Sequence, residues 1–185
     1  MPGGSWVRFS WRAGSTLDMV SHAVPPPLQT PGAARSPTMT PLLQQPAVVL
    51  YALASAVLII SLYGLGFWTA KVRNDGRKII NAEDVKVNRG AVHVEVEPAA
   101  VARIKRAHSN AIENAVPFFV IGFLYTQTLP STTAAAGFFG SFVLVRVLHA
   151  LFYLSATQPF RTLSFAVGGL INLAMVVQVL RAVAS

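Results

Sequence analysis

The sequence predicts an all-α fold, an integral membrane bundle of four transmembrane helices. Three observations predict it. Of the 185 residues, 53% are hydrophobic and only 12% charged, where a soluble domain is about one quarter charged. The apolar residues gather in runs long enough to cross a bilayer core of ~30 Å, which takes about 20 helical residues. The basic residues gather between two of those runs instead of spreading over a surface.

Residues 1–45 mix Pro, Gly, Ser and Thr without a sustained apolar period. That composition cannot bury a core, so a disordered tail is expected. Arg8 and Arg12 stand beside Trp6, Phe9 and Trp11, but no apolar stretch of signal-peptide length follows them. A start at Met39 is the alternative expectation. The membrane domain is expected over 46–185. Pro46 to Ala70 is uncharged throughout and predicts the first helix, with Pro46 suited to its first turn and Trp68 at interface depth.

Lys71 to Arg106 is the one long polar stretch and carries nine of the fifteen basic residues. Asn81 to Asp84 reads as a short capped turn. Ala91 to Glu97 alternates apolar and polar side chains as a strand does, but with no partner strand in view it reads as an extended loop with a solvated His93. The second helix is expected over 98–129, kinked at Pro117. Short turns at 129–131 and 156–160 make the third helix (132–155) and the fourth (161–182) antiparallel neighbours. Gly137 with Gly140, and Gly168 with Gly169, mark expected close helix contacts. Four helices put both chain ends on one side. The segments 71–106 and 156–161 share the other side and hold ten basic residues, which places them in the cytoplasm by the positive-inside rule.

Several function classes fall away. Without cysteine there is no disulfide, thiolate nucleophile or Cys-based metal site. His149 has no second ligand one helical turn away, so no metal is expected. No phosphate-cradling glycine loop or serine–histidine–acid relay is readable. The net charge of +8 reports membrane topology, and no nucleic-acid partner is expected.

Ionisable residues at membrane depth are costly and read as functional candidates. Arg103, Arg106, Asn110 and Glu113 recur at helical spacing on one face of the second helix. Arg146, His149 and Tyr153 do so on the third, and Arg161, Thr162 and Ser164 open the fourth. Plain structural readings exist for each. Glu113 and Arg146 can form a buried ion pair, Arg161 can anchor at the interface, His149 can be satisfied by a backbone carbonyl, and Tyr153 can be an interface aromatic. Taken together, Arg106, Asn110, Glu113, Arg146, His149, Tyr153 and Arg161 would converge at the cytoplasmic mouth of the bundle. Their donors suit carboxylates and their one acceptor suits an ammonium, so a zwitterionic polycarboxylate fits them.

The motifs RAHSNAIENAVPFFVIGFLY (106–125), VRVLHALFYL (145–154) and PFRTLSFAVG (159–168), with TAKVRNDGRKIINAED (69–84), resemble the MAPEG superfamily, membrane-associated proteins of eicosanoid and glutathione metabolism. The resemblance runs from about 43 to 183, nearest to the branch of microsomal glutathione transferases and prostaglandin E synthases. It implies a homotrimer with glutathione bound between subunits and a hydrophobic electrophile arriving from membrane lipid. It implies that Arg73 reaches a glutathione carboxylate across the interface. Arg106, Asn110, Glu113, His149 and Tyr153 would line the ligand, with Glu113 on its α-amino group. Arg161 would stabilise the thiolate, Thr162 would stand near the thiol, and Asp84 would match a loop aspartate proposed to assist in the synthases.

Three positions depart from the synthase pattern. Ser109 replaces a glutathione-binding arginine, Thr162 a serine, and Phe165 a pocket tyrosine. The expectation is therefore a membrane glutathione transferase acting on lipophilic electrophiles, with lipid hydroperoxide peroxidase activity beside it. A glutathione-dependent prostaglandin E synthase-like isomerase and a non-catalytic lipid-binding member are the alternatives. The host membrane would be the inner membrane in a bacterium or the endoplasmic reticulum in a eukaryote.

Overall fold

A computed structural model describes residues 41–185. The expectations for the tail and for Met39 lie outside the described residues, save that Leu42–Gln44 forms one 3-10 turn ahead of the first helix. Four long helices follow, α1 (Pro46–Gly76), α3 (Ala99–Gln127), α4 (Thr132–Leu154) and α5 (Phe160–Ala184), with a short α2 (Ala82–Val87) between the first two.

Helix α1 runs six residues beyond the expected end at Ala70. Its uncharged run is followed by Lys71 and Asp75, four apart and paired at 2.6 Å, and by Arg73 in the last turn, where cations complement the helix dipole. The helix stops when Arg77 turns left-handed at φ 48°. The expected loop at 91–97 needs correction. Val92–His93 (β2) pairs in parallel with Lys78–Ile79 (β1), Lys78 opposite Val92 and Ile79 opposite His93. The alternation was a strand signal after all, and its partner is two residues of the basic segment. Ile79 is buried beneath the pair, while His93 is exposed as expected. The expected turn at 81–84 is the start of α2, and the Asn81 amide bonds the Asp84 side chain at 3.0 Å instead of capping the backbone.

Helix α3 continues past Pro117, which leaves the Glu113 carbonyl without its usual donor. Ser131 caps α4 by accepting from the Ala134 N–H at 3.2 Å. The core is aromatic. Phe118 stacks on Phe142 with ring centres 4.5 Å apart, and Phe139 meets Phe118 edge-on at 5.8 Å. Tyr51 on α1 joins them and donates its hydroxyl to the Phe119 carbonyl at 2.8 Å. A second cluster of Leu65, Ile104 and Ala107 packs with Tyr153 and Leu154.

The outer faces are apolar too, with Ile60, Phe67, Leu144, Leu170 and Leu180 exposed. Helices α1, α4 and α5 are long and apolar enough to cross a membrane. An apolar exterior over helices of that length needs hydrocarbon as its solvent. Helix α3 is equally long but carries Asn110, Glu113 and Asn114 within its span.

The glycines divide differently from expectation. A Cβ on Gly137, Gly140 or Gly169 would meet nothing within 4 Å, whereas one on Gly122 would lie 3.1 Å from the Tyr51 ring. Gly168 is a true close contact, 3.3 Å from the Arg146 side chain. Tyr51 is held by its hydroxyl bond and three aromatic neighbours, so it cannot yield. Gly122→Ala is therefore expected to destabilise by about 1–3 kcal/mol through overpacking, against a helix-propensity gain of at most ~1 kcal/mol. Gly137→Ala is expected to keep that gain. Unfolding of the two variants in matched detergent measures the contrast.

Candidate functional site

The start of α5 and the last turns of α4 bring the candidate side chains together. Arg161 is half-buried, its guanidinium 4.8 Å over the Tyr153 ring, an attraction of cation for π-face. The Gln158 amide satisfies all its neighbours when its oxygen accepts from Arg161 Nε at 3.2 Å and Nη2 at 2.7 Å and its nitrogen donates to Thr162 Oγ1 at 3.1 Å. Gln158 lies in the turn just ahead of α5 and Arg161 and Thr162 in its first turn, so the entry into the helix brings the three side chains together. Nothing in the described residues engages Arg161 Nη1.

His149 is buried below this group and lies 5.8 Å from the Tyr153 ring. Its Nδ1 is 2.9 Å from the Arg161 carbonyl. A carbonyl only accepts, so Nδ1 carries the proton and Nε2 is the acceptor of the neutral ring. The expected backbone satisfaction of His149 is thus found, with Ser164 Oγ adding a contact at 3.2 Å. His149 Nε2 is buried without a partner among the described residues. Buried polar atoms seldom stay unpaired.

The expected Glu113–Arg146 ion pair is not formed. Arg146, buried on α4, donates Nη2 to the Asn110 side-chain oxygen at 2.9 Å. Glu113 is exposed and accepts from Ser109 Oγ at 3.3 Å. Both acceptors were on the right helix, but Asn110 lies on the side that α4 covers and Glu113 on the open side. Arg106 and Arg103 are also exposed. The predicted convergence is therefore partial. His149, Tyr153, Arg161 and Thr162 assemble, Asn110 joins Arg146, and Arg106 and Glu113 touch neither group. Asp84 stays in the polar segment, bonded to Asn81.

Arg73 reaches across to the start of α3. Its Nη2 lies 2.8 Å from Glu97 Oε1, and Lys105 Nζ lies 2.8 Å from Glu97 Oε2. Burial pushes the Glu97 carboxyl upward, but Lys105 and Arg73 outweigh it and hold the group below the usual carboxylate range. Sequence reasoning missed Glu97 and Gln158. The signals were present, an acid two residues ahead of a helix start amid nine basic residues, and an amide three residues before Arg161.

The MAPEG family model matches residues 51–181. The chain belongs to the MAPEG family. Among its relatives, the prostaglandin E synthase of Macaca fascicularis is 31% identical over 139 residues, covering 75% of this chain and 91% of the relative. The prostaglandin E synthase of Homo sapiens is 30% identical over 145 residues, covering 78% and 95%. The microsomal glutathione S-transferase 1 of Homo sapiens is 42% identical over 82 residues, covering 44% of this chain and 53% of the relative. A MAPEG protein with three helices fit to span a bilayer resides in a membrane.

The depressed Glu97 carboxyl links this site to acid stability. A carboxyl lowered on folding contributes stability above its unfolded value, and that contribution disappears as pH falls through the folded value. The wild-type protein is expected to lose thermal stability as pH drops below about 4, near the unfolded carboxyl value. Glu97→Gln is expected to flatten that part of the pH–stability curve, read by melting in detergent.

Proposed function

We propose that this MAPEG protein is a membrane glutathione transferase, in which the glutathione thiolate attacks lipophilic electrophiles that enter from the bilayer. The observation that carries the reading is the Arg161 group. A guanidinium is held by Gln158 and the Tyr153 ring, with Nη1 uncommitted among the described residues. A free thiol ionises near pH 8.5, and only the thiolate is strongly nucleophilic. A guanidinium against the sulfur favours the anion, and a shift of ~2 pKa units corresponds to about 2.7 kcal/mol. The thiol proton leaves to solvent, sulfur bonds to the electrophilic carbon, and the leaving group departs with its electron pair. Thr162, at hydrogen-bond distance from Gln158, offers a hydroxyl beside the sulfur.

The remaining ligand groups fall to Arg73, Arg106, Asn110, Glu113, His149 and Tyr153. Arg146 engages the Asn110 oxygen, so Asn110 presents its NH2 to an acceptor such as a carboxylate or amide carbonyl. Arg106 and Glu113 face outward in the single chain, which supports a homotrimer in which a neighbouring copy completes each site. Helix α3 would then cross the bilayer as the fourth span, its polar stripe sheltered by ligand and neighbour. The segment 71–106 would lie on the cytoplasmic side, and Asp84 would assist from that segment.

A second reading, a glutathione-dependent isomerase of the prostaglandin E synthase kind, is favoured by the longer reach of that similarity, 75–78% of the chain against 44%. Ser109, Thr162 and Phe165 weigh against it. Purified protein in detergent is expected to show thiolate absorbance with glutathione and to conjugate an aryl halide. Arg161→Ala is expected to abolish the absorbance and lower turnover on the order of a hundredfold, as loss of a charge-stabilising donor does. Full turnover by that variant would remove Arg161 from the mechanism. Endoperoxide isomerisation without aryl halide conjugation would favour the second reading.

A further inference from the structure

We propose that Glu97 is a positioning residue for Arg73, setting its guanidinium to receive a ligand carboxylate before the ligand arrives. The inference rests on the glutathione reading above and assigns a role to a residue outside it. Glu97 stands immediately ahead of α3, with its side chain 13% exposed. It bonds Arg73 Nη2 through one oxygen and Lys105 Nζ through the other, both at 2.8 Å. Two cations share one carboxylate, so the group retains one net positive charge and still attracts an anion.

The two cations are not equivalent. The Arg73 side chain is 26% exposed and the Lys105 side chain 51%. Lys105 is the looser partner, there to balance charge. Arg73 comes from the far end of α1 and crosses 24 residues of sequence to reach Glu97. One edge of its guanidinium is taken, and Nη1 has no partner among the described residues. An untethered arginine would have to be ordered when the ligand binds, a cost that pre-organisation removes. The same carboxylate ties the end of α1 to the start of α3, so the tether also fixes which way the arginine projects from the bundle.

The test is steady-state conjugation of glutathione to an aryl halide by the full-length protein in detergent, with thermal melting as a check on folding. Glu97→Gln is expected to raise KM for glutathione between about two- and tenfold, the range for immobilising one long side chain, and to leave kcat unchanged. Lys105→Met, which spares the Arg73 contact, is expected to change KM much less. In an Arg73→Gln background, Glu97→Gln is expected to add nothing further, since it acts through Arg73. Glu97→Asp, which keeps the charge, is expected to recover part of the loss and serves if Glu97→Gln does not fold. An unchanged KM in Glu97→Gln, an equal effect of Lys105→Met, or an additive effect on top of Arg73→Gln overturns the proposal while leaving the glutathione reading intact. A wild-type protein that does not saturate with glutathione overturns both.

Discussion

A guanidinium buried among apolar helices constrains everything packed around it. Arg146 cannot shed its charge as a lysine or histidine can, and hydrocarbon offers nothing to solvate it. The chain meets this with Asn110, whose side-chain oxygen accepts from Nη2 at 2.9 Å, and with Gly168, whose missing side chain lets the arginine stem lie against α5. One residue on α4 therefore dictates a polar partner on α3 and an absent side chain on α5. Arg146 Nη1 has no partner among the described residues, so the solution is incomplete within the chain. Small, tightly placed polar contacts of this kind fix helix register where apolar packing alone would tolerate sliding.

The same register positions the candidate site. With α4 held by Arg146, His149 falls one turn further on and Tyr153 another, both turned toward the start of α5. His149 then binds the Arg161 carbonyl, which ties the first turn of α5 to α4 through its backbone and leaves the Arg161 side chain free to lie over Tyr153. Packing thus uses only part of each of these residues. The Arg161 carbonyl is consumed in packing while its guanidinium lies over Tyr153 and against Gln158. The Nδ1 of His149 is consumed in packing while Nε2 is not.

Helical periodicity made the architecture legible, because long apolar runs bounded by Pro, Ser and basic residues leave little freedom. The long helices end within a few residues of expectation, except α1, where an uncharged-run criterion cannot see that Lys71, Asp75 and Arg73 extend a helix into water. Periodicity also found the right stripes for the site but not their phase. Asn110 and Glu113 are one turn apart, and only the placement of α4 decides that Arg146 meets the amide and not the acid. The two-residue sheet escaped because Lys78–Ile79, the partner of the alternating segment, is too short to carry a pattern of its own. Glu97 escaped because its meaning depends on Arg73, a residue brought close by the fold and distant in sequence.

The site consequently has two halves of different character. The half built by α4 and α5 is complete in one chain, with Tyr153, Gln158 and Arg161 mutually engaged. The half carried by α3 is not, since Arg106 and Glu113 project outward with only Ser109 as company for the acid. A charged residue on the outer face of a helix enclosed by apolar neighbours is expensive unless something covers it. A ligand that brings its own ammonium and carboxylates, and a neighbouring subunit that shields them from lipid, would satisfy both groups at once. Reaction chemistry would then belong to the rigid half, while recognition would wait for assembly. Such a division would leave Arg161 in place in each chain, while the charged ends of the ligand are gripped only in the assembly.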